Sequence, residues 1–336
     1  MGGTPKLSIC ICTHNRPHYL AGCLGALHRQ TAAPELFEVL VVDSASPAGP
    51  AAAVAQLAAA TPNARLLRVE EPGLSIARNA GARAARAEYI CYIDDDALAE
   101  RDLVATALLA LSSTDPAPAL IGGRALPLWE APLPPWWPAS LRGVLSIVEA
   151  EGCGEYRSAA LPPGLEPCGA IFVVHVPTLL AAGGFDPDSG RSGSVLLSDE
   201  EVQLSWRLQA AGYSARYDSR LTVHHRIQAS RLTPAWLLDR LYWQGVSTVR
   251  TRRLLGSPGA VWRELPRRLA VAALFGPLAL WPRRSVRLIG ARWRLAYATG
   301  FIRGAAYWCT GGAAGRSRSP RAAMALIRSA MRQAKA

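Results

Sequence analysis

The stretch Tyr89-Ile90-Cys91-Tyr92-Ile93-Asp94-Asp95-Asp96 runs five apolar or aromatic side chains directly into three carboxylates. A near-continuous apolar run of this length suits a parallel strand covered on both faces. Three adjacent carboxylates repel one another unless a cation or a solvated turn relieves them. Oxygen ligands of this kind suit magnesium or manganese, held so that positions stay open for substrate phosphates. A solvated turn in which Asp95 or Asp96 caps the next helix is the alternative.

Upstream, the same alternation repeats. Leu7 to Cys12 reads as a buried strand, and Asn15-Arg16-Pro17 opens a helix with Tyr19, Leu20, Cys23, Leu24 and Leu27 at helical spacing. Phe37 to Val42 is a second apolar run, and it ends on Asp43. Ala51 to Ala60 reads as helix, Leu66 to Val69 as strand, Ser75 to Arg86 as helix capped by Ser75, and Glu88 to Ile93 as strand. The pattern predicts an α/β fold with a doubly wound, Rossmann-like, mostly parallel sheet flanked by helices, whose ligands gather outside the carboxyl ends of the strands. Asp43 and the aspartate triplet then share one rim. Pro116 to Pro167, rich in Pro, Gly and Trp, reads as a long irregular stretch or a β-excursion. A strand from Ala170 to Val176 and a helix from Asp199 to Ala211, stopped at Gly212, follow.

The 336 residues, half of them hydrophobic, have room for one large α/β domain with an appendage. The expected division is residues 1–230, in parts 1–125 and 126–230, and a basic, Trp-rich helical region at 231–336. Seven cysteines without even spacing point away from a disulfide framework and toward a reducing, cytoplasmic setting. Cys10 and Cys12 lack a second pair at metal-ligand spacing and read as core. No leader pattern follows Met1, and Leu269 to Trp281 falls short of the roughly 18 to 20 apolar residues that span a bilayer. The net charge of +12 belongs mainly to the segment beyond Asp239. There Trp236, Trp243, Trp262, Trp281, Trp293 and Trp308 lie among arginines. That mixture suits helices resting on an anionic leaflet, with a packing appendage as the alternative. Nothing resembles a nucleic-acid module, so no nucleic-acid partner is expected. Neither a P-loop nor a dinucleotide fingerprint follows the first strand, which leaves phosphate to a metal and to scattered side chains.

Taken in order, five segments resemble the family 2 glycosyltransferases over roughly residues 5 to 227. The opening Leu7 to Pro17 is similar to the family's first strand and nucleotide-contacting loop, which implies contacts from Thr13, Asn15 and Arg16. Phe37 to Ser46 resembles its second strand, with Asp43 where the base is recognised. Gly73 to Gly81 resembles the segment that would bring Arg78 and Asn79 near the nucleotide. Tyr89 to Asp96 resembles the DxD-type strand end, implying that Asp94 and Asp96, with Asp95 between them, hold the sugar nucleotide through Mn2+ or Mg2+. Gly183 to Pro187 and Asp199 to Leu208 resemble the acceptor-side turn and the acidic helix start. Aligned on Arg207, Glu201 stands where the family most often has Asp as general base, with Glu200 or Asp199 as substitutes. A histidine near the diphosphate or metal is also common in the family. Adjacent strand residues face opposite ways, so only one of His224 and His225 can serve, and His224 is the expected ligand beside Asp94 and Asp96.

The resemblance implies a GT-A fold and inverting transfer from a nucleotide-diphosphate sugar to a hydroxyl of a glycan, glycolipid or metabolite. The cysteine usage and the basic, Trp-rich tail give the expected location, cytoplasmic and peripheral on the inner face of the cell membrane. Nucleotidyl transfer to a sugar phosphate and a catalytically silent membrane adaptor are the alternatives. The loop Pro134-Pro135-Trp136-Trp137-Pro138 offers flat surfaces for an acceptor sugar, a lipid interface or core packing.

Overall fold

The computed structural model describes residues 4–191 and 195–309, the last two by their backbone only. Trp308 of the aromatic set therefore lies outside the described side chains. The chain opens with β1 (Leu7–Thr13), α1 (Pro17–His28), β2 (Phe37–Ser44), α2 (Ala48–Ala59), β3 (Ala64–Val69), α3 (Leu74–Ala84) and β4 (Tyr89–Asp94). These four strands are parallel in the order β3-β2-β1-β4. The chain steps outward from β1 to β3 and then returns to β4, so the order reverses between β1 and β4, where open α/β sheets bind ligands. Thr13 is level with Asp43, and Cys12 with Asp94, which aligns the strand ends along one rim.

Alternation along each strand feeds two cores. In β4, Cys91 and Ile93 join Ile9, Ile11, Val39 and Val41 against Leu20, Leu24 and Leu27 of α1 and Val54 of α2. Ile90 and Tyr92 join Leu40, Val42 and Phe172 on the opposite face against Ala77 and Ala82 of α3. That double coverage is why the strands read as continuous apolar runs. Ser75 is not the cap of α3: Gly73 holds that position, and the buried Ser75 hydroxyl donates to the Ser189 carbonyl at 2.8 Å.

The second half adds β5 (Ala97–Ala99), α4 (Leu103–Ser112), β6 (Leu120–Trp129), β7 (Cys153–Glu155), β8 (Ile171–His175), α5 (Val176–Ala181), α6 (Glu200–Ala210) and β9 (Ala215–Ile227). The sheet continues β4-β8-β6-β9-β5, with β8 antiparallel to both neighbours and β7 paired to β9. The expected irregular stretch thus contains β6 and β7, and the division placed between residues 125 and 126 falls inside β6.

The C-terminal part consists of α7 (Pro234–Leu254), α8 (Pro258–Phe275), a 3-10 turn (Gly276–Leu280) and α9 (Ile289–Cys309). α7 and α9 cross with their backbones in contact. A Cβ on Gly245 would lie 2.3 Å from the Tyr297 carbonyl oxygen, and one on Gly300 would lie 1.9 Å from that of Tyr242. Trp137, Leu145, Ile227, Leu237 and Leu241 form a third apolar cluster, with Trp136, Trp236 and Trp293 packed on it. The two-tryptophan loop is therefore packed against α7 and α9. No described helix is long and apolar enough to cross a membrane.

Candidate active site

A cavity of about 610 Å³ opens over the ends of β1 and β4 and is closed on its far side by the start of α6 and by α7. Asp94, at the tip of β4, keeps its carboxylate partly open, with Arg78 Nη2 3.6 Å away. The turn into β5 buries its two neighbours. Asp95 accepts from the Thr13 hydroxyl at 2.7 Å and pairs with Arg16 at 2.9 Å. Burial pushes its carboxyl up to about 7, with Arg16 and Thr13 opposing. Asp96 accepts from Arg16, from Gln228 Nε2 at 2.7 Å and from Arg231 at 3.3 Å, and His225 Nε2 lies 3.3 Å from its other oxygen. Burial alone would raise this carboxyl, but His225, Arg16 and Arg231 hold it well below the usual range.

The histidine at the acid cluster is His225, not His224. Pairing of β5 with β9 sets His225 opposite Ala97 and brings it to Asp96. His224 points to the other face, where its Nε2 lies 2.6 Å from Glu100. Ligand atoms of Asp94, Asp96 and His225 all fall within 4.8 Å of one another. His225 Nδ1 is buried without a partner, and two carboxylates with one imidazole form a donor set that could hold a divalent metal ion.

Thr13, Arg16 and Arg78 reach the same cavity, joined by His14 and Ser44, whose carbonyl is 2.6 Å from His14 Nδ1. Three residues expected at the nucleotide do not line it. Asn15 is exposed, in a left-handed conformation, with its backbone N–H donating to Ser46 Oγ. Asp43 is 2% exposed and closed by Arg68 of β3 at 2.7 Å. Asn79 clamps the Phe185 backbone with both ends of its amide, at 2.7 and 2.8 Å. The clamp needs Gly184, at φ 72°, because a Cβ there would lie 2.5 Å from Asn79 Oδ1.

Across the cavity, the three acids before and within α6 differ sharply. Asp199, in the left-handed region at φ 74°, accepts from Gln244 Nε2 of α7 at 3.0 Å on each oxygen and from the Ser198 hydroxyl. Glu200 is buried and accepts from Arg78 Nη1 at 2.9 Å. Glu201 Oε2 is buried with no partner. Burial first and Glu200 second push the Glu201 carboxyl up to about 8, against the pull of Arg78. Arg78 spans the two acid groups, pairing with Glu200 and facing Asp94, with the Tyr92, Phe172 and Phe185 rings 5.2 to 5.9 Å away. Burial disfavours its charge, yet Glu200 and Asp94 outweigh that and raise its pKa, so it stays ionised.

Among the described residues, six of the twelve buried side-chain polar atoms without a partner belong to Glu200, Glu201, His225, Gln228 and Arg240. Unsatisfied buried groups are rare in folded proteins and call for a ligand, ion or water. Four of these six atoms, on Glu200, Glu201 and Arg240, belong to residues that line the cavity, which makes it the candidate site. Gln228, Arg231, Arg240 and Gln244 were not legible as site residues. For the last two the available signal was a pair of polar side chains one helical turn apart, between the apolar positions Leu237, Leu241 and Val249.

The sheet order, the strand-end acids and the facing acidic helix define a GT-A glycosyltransferase fold. Two solved structures share it. The mannosyltransferase PcManGT of Pyrobaculum calidifontis, solved with GDP-Man and Mn2+, aligns at TM-score 0.56 and 20% identity over 89% of this chain and 88% of that one. S. aureus TarS 1-349 with UDP-GlcNAc aligns at TM-score 0.50 and 14% identity over 91% and 92%. Residues 8–133 match glycosyl transferase family 2. The chain's curated relatives include the glucosyl-dolichyl phosphate glucuronosyltransferase of Haloferax volcanii, 28% identical over 179 residues, 53% of this chain and 55% of that protein. The validoxylamine A glucosyltransferase of Streptomyces hygroscopicus subsp. limoneus is 36% identical over 120 residues, 35% of this chain and 26% of that protein. The chain thus spans about half, or less, of the length of these relatives.

Proposed function

We propose that this protein transfers a sugar, with inversion, from a nucleotide-diphosphate sugar to a hydroxyl of a glycan, glycolipid or metabolite acceptor, and that it depends on Mn2+ or Mg2+. The observation that carries the reading is the cation-ready set Asp94, Asp96 and His225 on one side of the cavity and, on the other, the buried Glu201 carboxylate with one oxygen left without a partner. A divalent ion held there would offset the charge that develops on the leaving diphosphate. Glu201 accepts the proton of the acceptor hydroxyl while its oxygen forms the bond to the anomeric carbon. The bond from that carbon to the diphosphate breaks, and its electron pair leaves on the diphosphate oxygen. Thr13, Arg16 and Arg78 orient the donor from the strand ends. The donors in PcManGT and TarS, GDP-Man and UDP-GlcNAc, are the natural first candidates.

A ligand that binds only the folded state raises its melting temperature. Uridine, guanosine and thymidine diphosphates are therefore to be compared with and without Mn2+. One of them is expected to give a metal-dependent rise that is lost in Asp94→Ala, whose side chain is partly exposed and need not be buried to fold. No metal-dependent rise with any nucleotide would overturn the reading.

The same reading sets the protein on the cytoplasmic face of the cell membrane through α8. Eight of the thirteen exposed large apolar side chains among the described residues lie between Leu254 and Leu288, including Leu274 at 72% and Leu280 at 91%. Arg253, Arg263, Arg267, Arg283, Arg284 and Arg287 are exposed beside them. Apolar side chains with arginines around them fit an anionic lipid surface. Sedimentation with vesicles containing phosphatidylglycerol should carry the protein down, and Leu274→Gln with Leu280→Gln should release it. Equal binding to the doubly substituted protein would refute the lipid contact.

A further inference from the structure

Arg240, on the second turn of α7, lines the cavity and is 7% exposed. Its Nη2 donates to the Ser198 hydroxyl at 3.2 Å, while Nε and Nη1 are buried with no acceptor. The nearby acids Asp199, Glu200 and Glu201 favour its charge from a distance, but none of them hydrogen-bonds to Nε or Nη1. Arg191 also lines the cavity, and its charge adds to burial in lowering the pKa of Arg240 to about 10, which leaves it ionised at neutral pH. A buried guanidinium with two idle donors is unfavourable until an acceptor arrives, and its planar fork matches phosphate and carboxylate oxygens.

Two guanidinium groups already serve the donor side, since Arg16 and Arg231 lie on Asp95 and Asp96. Arg240 instead stands with Ser198 at the acidic start of α6, on the wall that carries Glu201. We propose that Arg240, with Arg191, receives an oxyanion carried by the acceptor, a phosphate or carboxylate near the hydroxyl that Glu201 deprotonates. This assignment rests on the transfer reading above and names the acceptor class within it: an anionic acceptor, lipid-borne or water-soluble.

The test uses the full chain saturated with the nucleoside diphosphate and Mn2+, so that the donor's phosphate positions are filled. Farnesyl phosphate, glucose 6-phosphate and glucuronate are then added, with farnesol and glucose as neutral controls, and the further rise in melting temperature is read. At least one charged probe is expected to add to the rise and its neutral counterpart to add nothing. A response to farnesyl phosphate alone identifies a lipid-borne anion, and a response to the soluble probes identifies a soluble one. Arg240→Gln is expected to remove the increment and keep the nucleotide-dependent rise, which also reports that the variant is folded; Arg240→Lys should restore part of it. The assignment is overturned if no charged probe adds to the rise, if neutral probes add equally, or if Arg240→Gln keeps the increment. Absence of the nucleotide-dependent rise itself counts against the donor reading and is seen before any probe is added.

Discussion

Two acidic triplets face each other across the cavity, and the protein treats them in opposite ways. Around Asp94, Asp95 and Asp96 it gathers Thr13, Arg16, His225, Gln228 and Arg231, so that the two buried carboxylates are held in place before any ligand arrives. Around Asp199, Glu200 and Glu201 it engages both oxygens of the first and one of the second, and leaves one buried oxygen each of Glu200 and Glu201 with nothing. Charge that must be matched by a ligand is held in fixed geometry on one side. On the other side the carboxylate proposed to collect a proton is buried, which raises its affinity for one. Composition alone makes the triplets look alike, and only their surroundings assign them different work.

The largest effect expected from breaking this contrast is at Glu201. Glu201→Gln should lower the rate of sugar transfer by about 10² to 10⁴-fold while leaving nucleotide binding in place. The wild-type rate should climb with pH as Glu201 ionises near 8, and the variant's residual rate should lack that rise. Stability should move the other way. The native carboxyl keeps a proton that the unfolded chain, with its ordinary value of 4.5, has already lost, so burying Glu201 destabilises the fold progressively as pH rises from about 4.5 to about 8. Glu201→Gln should therefore melt higher than wild type above pH 8. A variant that keeps full transfer, or that melts lower at that pH, would place the base elsewhere.

The smaller effect is at the other end of the triplet. Gln244→Ala removes the amide that grips both oxygens of Asp199, at a cost of about 1 to 2 kcal/mol, which thermal melts should show as a loss of about 2 to 4 °C. Its transfer rate should fall less than tenfold. If Gln244→Ala is as damaging as Glu201→Gln, Asp199 is the working carboxylate and the contrast fails.

Much of this was legible in the sequence. Period-two and near-continuous apolar runs gave β1, β2 and β4, because those strands are buried on both faces and carry no ambiguity of face. Asp94 to Asp96 and Asp199 to Glu201 stood out because carboxylates at the end of a strand and the start of a helix are chemically conspicuous. His225 was hidden by register: the choice between two adjacent histidines depends on how β9 pairs with β5, which nothing local specifies. Asp43 and Asn79 were misplaced for a related reason, since their partners Arg68 and the Phe185 backbone come from other elements. β6 was blurred by Gly122, Gly123 and Pro127, which weaken any strand pattern. Gln228 and Arg231 come from the turn after β9 and Arg240 and Gln244 from α7, and all four reach their partners only through tertiary packing.

The contact of α7 with α9 at Gly245 and Gly300 leaves no slack between two backbones. A side chain at either glycine would meet a carbonyl oxygen of the facing helix, so the close approach depends on both glycines. Gln244, which holds Asp199, is the residue next to that contact. α8, which carries the exposed apolar side chains, is joined in sequence to both of the crossing helices, so the proposed lipid-facing surface and the residue that grips Asp199 share one packed unit.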